Sequence, residues 1–171
     1  EKGHDFIELY NPNTTTADIS GFQLKKKSSS GNDYSVRLFP EGSVVEEGSH
    51  FLWLNSSYAS SSQLSANVSS SQALASNNSI ALLNKEGDIV DAVAWGSSTN
   101  PFIEGEAFPQ NPINEESLVR KWSIENNNYQ DQDNNKEDFE IQSPSPGEIN
   151  SSSQQTVEDE EGFILISWEP E

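Results

Sequence analysis

From Asp5 onward the chain alternates. In DFIELY, Phe6, Glu8 and Tyr10 fall on one face and Ile7 and Leu9 on the other, the period of two that marks a strand with one buried side. Asn11-Pro12-Asn13 ends the run, because proline removes a ladder donor and asparagine accommodates turn angles. After a polar arch, Asp18-Ile19-Ser20-Gly21 leads into Phe22-Gln23-Leu24, so the unit reads strand, arch, strand. Further strands are predicted at residues 34–39, at His50-Phe51-Leu52-Trp53-Leu54 and at residues 117–122. Ile80-Ala81-Leu82-Leu83 and residues 89–95 flank Asn84-Lys85-Glu86-Gly87-Asp88, a hairpin with glycine where a left-handed residue is wanted.

The connections are polar. Residues 25–27 are three lysines, a pattern that protects an edge strand from pairing. Residues 55–79 are nearly half serine and read as a surface excursion with one helical turn at residues 72–75. Helical periodicity is otherwise nearly absent. The fold class expected is all-β, a sandwich of about eight short strands. Its core should contain Ile7, Leu9, Phe22, Leu24, Leu38, Leu52, Leu54, Leu82, Val93 and Phe139.

Three stretches resemble one family. FIELYNP followed by DISGFQL is similar to the opening of the lamin-tail domain, and SIALLNKEGDIVDAVAWG to that family's central stretch. DNNKEDF with SPSPGEIN is similar to the close of its bacterial members. The resemblance implies an immunoglobulin-like β-sandwich over residues 1–142 and a place on a bacterial cell surface or outside the cell. It implies a non-catalytic structural or binding module beside other domains or proteins.

Charge narrows the partners. Nine Lys and Arg stand against 28 Asp and Glu, a formal net charge of −19. Such a surface repels nucleic acid and anionic lipid, whose binding depends on counterion release by Lys and Arg. No apolar run approaches the roughly 20 residues that cross a bilayer, so membrane insertion is not expected. There is no cysteine for a disulfide framework, a thiol catalyst or a zinc knuckle. The chain also lacks methionine and starts at Glu1, which reads as a segment of a longer protein.

Candidate chemistry is sparse. Asp131, Asp133, Asn135 and Asp138 place oxygen ligands along one loop as calcium loops begin, although Lys136 and Gln142 stand where an EF-hand wants glycine and glutamate. A carbohydrate- or calcium-binding accessory domain is therefore one alternative, with no cofactor other than calcium expected. Trp122, flanked by Arg120-Lys121 and Ser123, is the tryptophan best placed to contact a sugar or partner, while Trp53, Trp95 and Trp168 sit in apolar runs. No G-x-S-x-G, H-E-x-x-H or phosphate-binding motif occurs, so the protein is expected not to be an enzyme; a hydrolase with an unrecognised site is the other alternative.

The C-terminus carries an apolar alternation, FILISWEP. The family opens on a similar strand just before FIEL, and this chain has none there. Either that strand has been moved by circular permutation, or the chain runs into the first strand of a following repeat. Residues 163–171 are accordingly expected to complete the sandwich, with Ile164, Ile166 and Trp168 filling an antiparallel slot beside residues 6–10. Closure is expected in cis, or by a strand swap that makes a homodimer. Residues 143–162 form the flexible linker.

Overall fold

The computed structural model describes residues 5–97, 102–150, 157–158 and 164–165. It is nearly all β, as the alternation predicts. In one sheet β1 (Phe6–Tyr10) pairs antiparallel with β6 (His50–Asn55), and β7 (Val68–Ser70) runs parallel to β6 on its other side. In the other, β4 (Asp33–Leu38), β3 (Gln23–Lys27), β8 (Ser79–Leu83) and β9 (Ile89–Ala94) follow one another, all antiparallel. Gly87 takes a φ of 90° in the β8–β9 turn, the left-handed geometry that a side chain would resist.

Short ladders close the ends. β2 (Ala17–Asp18) pairs with β5 (Val44–Val45), and β10 (Ser117–Arg120) with β13 (Phe139–Gln142). β11 (Trp122–Ser123) pairs with β12 (Asn128–Tyr129), and β14 (Val157–Glu158) with β15 (Ile164–Leu165). Two short helices, α1 (Ser56–Ser61) and α2 (Asn135–Asp138), complete the described residues.

The core lies between the sheets. Leu24, Val36 and Ile80 of one sheet meet Phe51, Trp53 and Val68 of the other, with Phe39, Trp95, Phe108 and Phe139 around them. Trp53 is fully buried, and its indole N–H donates to Ser70 Oγ at 3.1 Å, so the ring's one polar atom is satisfied inside the core. Of the expected core, Leu24, Leu52, Leu54 and Phe139 are buried, and Ile7, Leu9, Phe22, Leu82 and Val93 pack partly exposed against it.

Three expectations are corrected. Leu38 is 59% exposed. Leu24 pairs with Arg37 and Lys25 with Ser35, so Val36 is an extra, bulged residue that reverses the alternation and sets Leu38 opposite Gln23 on the outer face. The lysine-bearing β3 is a central strand. Its lysines instead find partners beside the sheet: Lys27 pairs with Asp33 at 3.2 Å and lies 4.8 Å from the Phe102 ring centre, while Lys26 donates to the Ala73 carbonyl. The helical turn falls at α1, where Asn55 Oδ1 accepts from Ser57 N at 2.8 Å. Residues 72–75 form no helix, and side chains in and beside the sheets take up their backbone groups: Asn55 Nδ2 donates to Gln72 O, Asp5 Oδ2 accepts from Leu74 N, and Trp95 Nε1 donates to Ala75 O.

Candidate functional site

The densest chemistry gathers on Arg120, the last residue of β10. Cross-strand pairing sets Arg120 against Phe139, and the guanidinium lies 4.6 Å from that ring's centre. Its Nη2 is 2.7 Å from Asp91 Oδ1 and 3.8 Å from Glu104 Oε2, and its Nη1 is 3.0 Å from Asp131 Oδ1 and 3.8 Å from Asp138 Oδ2. Four carboxylates thus share one cation whose side chain is only 14% exposed. The planar fork of arginine suits this, since it offers several donors at fixed angles.

The same acids bind backbone. Asp138, fully buried, accepts from Gln132 N at 2.8 Å and Asn134 N at 3.1 Å, so its carboxylate folds its own loop. Glu104 Oε1 accepts from Ala92 N at 3.0 Å. Asn135, also fully buried, accepts from Ala94 N at 2.9 Å and donates to Ala92 O at 2.8 Å. Together Glu104 and Asn135 meet the outward backbone groups of β9 as a neighbouring strand would. The second sheet is closed there by side chains.

Of the four residues of the predicted calcium loop, Asp131 and Asp138 both face Arg120 Nη1, Asp138 also accepting from its own loop, while Asp133 is exposed and Asn135 turns to β9. Among the described residues, no group of three His, Asp or Glu side chains is placed to hold a metal ion. Trp122 is half-buried in an aromatic cluster. It meets Tyr129 edge-on at 4.9 Å and Tyr10 at 6.3 Å, and Tyr10 in turn tilts against His50 at 5.1 Å. Trp168 lies outside the described residues.

Burial, then the neighbouring Asp91, push the Glu104 carboxyl up to about 7, against the pull of the Ala92 N–H and Arg120. Burial moves the Asp91 carboxyl up as well, against the pull of the Arg120 guanidinium. In the unfolded chain Glu104 ionises near its ordinary 4.5, so between 4.5 and about 7 the folded protein binds more protons, and stability falls as pH rises through that window. Discounted for exposure and for the coupling to Asp91, the loss is roughly 2 kcal/mol. Urea unfolding at about pH 5 and about pH 8 should show it, and Glu104→Gln should flatten the difference. An unchanged difference in that variant would assign the pH dependence elsewhere.

Sequence reasoning passes over Arg120 and Glu104 because the acids around Arg120 come from three separate stretches, at Asp91, at Glu104 and on the loop that carries Asp131 and Asp138. The available signal was modest: Arg120 is one of only two arginines, and it follows an apolar run. Acids outside the cluster also take backbone donors. Asp18 Oδ1 accepts from Ser20 N at 2.9 Å, and Asp5 and Glu8 accept from Leu74 N and Gly147 N. A family model described as Lamin Tail Domain matches residues 1–97, which include the first two of the three stretches noted above. No curated protein matches the chain.

Proposed function

Because this chain belongs to the lamin tail domain family, an immunoglobulin-like fold, we propose that it is a non-catalytic structural or binding module of an exported bacterial surface protein, working beside other domains. The observation that carries the reading is the use made of the Arg120 cluster. Such a group of acids, one of them holding its proton to about pH 7, is what a hydrolase would need. Here Glu104 and Asp138 accept from backbone N–H groups, and all four acids surround Arg120, so the cluster joins loops to a sheet edge. Surface placement is supported by the resemblance of the closing stretch to bacterial members and by the strongly acidic balance.

Two measurements test it. Protease treatment of intact source cells should release fragments of this domain, and release only after lysis would refute the surface assignment. Assays with chromogenic glycoside, ester and phosphodiester substrates should show no turnover attributable to the chain. Turnover that disappears in Asp91→Asn would make the cluster a catalytic site instead.

A further inference from the structure

One edge of the first sheet carries no partner strand among the described residues. Asn55 N donates to Asp5 O at 2.9 Å and Asn11 N to Ser49 O at 3.0 Å, which sets the parity of the β1–β6 ladder. Ile7 and Leu9 therefore bond to β6, and the N–H and C=O groups of Phe6, Glu8 and Tyr10 point away from it. Ile164–Leu165, the described part of the C-terminal alternation, pairs with Val157–Glu158, and residues 166–171 lie outside the described residues.

The two faces of β1 differ in chemistry at that edge. Toward the core, Ile7 and Leu9 continue into a cleft of about 1890 Å³ whose walls include Phe22, Leu82, Val93 and Leu118, all partly exposed. Glu8 and Tyr10 fall on the opposite face, where the Tyr129 ring meets Tyr10 edge-on at 4.9 Å. The charge of the cleft is one-sided. Asp5, Glu8, Glu115 and Glu116 line it beside Asp91 and Asp131, whereas Arg120, the one Lys or Arg among its lining residues, is already surrounded by four carboxylates.

A strand added to this edge extends both faces at once, because side chains opposite one another across a ladder interact. Its inward residues must be apolar to lie on the cleft wall, and its outward ones gain most as Lys or Arg, set against the Glu8 carboxylate and the rings of Tyr10 and Tyr129. A second copy fits poorly, since it brings a further net charge of −19 to an acidic rim. We propose that the outer edge of β1 and its cleft are a docking site for an extended, basic segment of another protein, in which apolar residues alternate with Lys or Arg along the length of β1. This site goes beyond the surface-module reading and stands without it.

Amide exchange of the intact protein, followed by NMR with and without an octapeptide of alternating lysine and valine, tests it. Without peptide, the Phe6, Glu8 and Tyr10 amides should exchange faster than those of Ile7 and Leu9; saturating peptide should slow these three by about tenfold or more and leave the other two unmoved. The same peptide N-methylated throughout keeps its charge but cannot form the ladder, so it should protect none of them. In fluorescence anisotropy, an octapeptide of alternating glutamate and valine should bind far more weakly than the lysine peptide. Glu8→Gln/Glu115→Gln/Glu116→Gln, in which the new amides still accept from Gly147 N and Ile113 N, should weaken the lysine peptide about tenfold. Slow exchange of the outward amides in the free protein would mean that the chain itself or a second copy already covers the edge, and overturns the proposal. So do a lysine peptide that protects none of the three amides, an N-methylated peptide that protects them, a glutamate peptide that binds equally well, and an affinity unchanged in the triple variant. Should that variant unfold, the three peptides on the intact protein still decide.

Discussion

Replacing Arg120 with methionine is expected to lower the unfolding free energy by roughly 3–5 kcal/mol, the range for removing one partner of a buried charge cluster. Methionine keeps an apolar stem against Phe139, so most of the loss should come from Asp91, Glu104, Asp131 and Asp138 left facing one another. Asp138 suffers most, being fully buried. Acid should restore part of the stability, because protonating Glu104 and Asp91 removes repulsion that Arg120 no longer offsets. Denaturant midpoints at neutral and mildly acid pH measure both effects. A neutral-pH loss under about 1 kcal/mol would mean that the cluster is solvated and structurally idle.

Asn135→Ala should be nearly as damaging, at roughly 3–5 kcal/mol. The carboxamide accepts from Ala94 N and donates to Ala92 O, so its removal strands two backbone groups beside β9, each worth roughly 1–3 kcal/mol when buried without a partner. Asn135→Asp tests the donor separately: the acceptor for Ala94 N remains, but a carboxylate now faces Ala92 O and Glu104. It should fare no better than alanine at neutral pH. Exchange of the Ala94 amide gives a local readout and should accelerate in both variants. If Asn135→Ala unfolds within about 1 kcal/mol of the parent, water replaces the side chain adequately and the edge closure is dispensable.

Much of the fold was legible because alternation reports which face of a strand is buried. The β8–β9 hairpin, β1 and β6 stand where the pattern places them, and the lamin-tail resemblance was carried by residues that lie on those strands. Leu38 was misassigned because a single bulged residue, Val36, reverses the alternation, and nothing local marks it. The lysines of β3 suggested an edge because charge at an edge is common. Their long stems instead reach Asp33, Phe102 and Ala73 from a central strand, which is decided by what folds beside them. The Arg120 cluster was hidden for a related reason: Asp91 of β9 meets Glu104 and Asp131 only after two loops have folded against that strand. Asn135 was noticed for its oxygen, whereas its position depends on both the oxygen and the amide.

The bulge at Val36 also bears on how this protein behaves when concentrated. β4 is an outer strand of its sheet, and there the Val36 carbonyl is already taken by Ser70 Oγ at 2.7 Å while Asp33, Tyr34 and Ser35 present an exposed, largely polar rim. At the opposite margin, β9 is closed by Asn135 and Glu104. A sheet with an irregular margin on one side and a capped one on the other is a poor template for stacking like chains, so fibril growth through this sheet is blocked at both ends by features that also hold the monomer together.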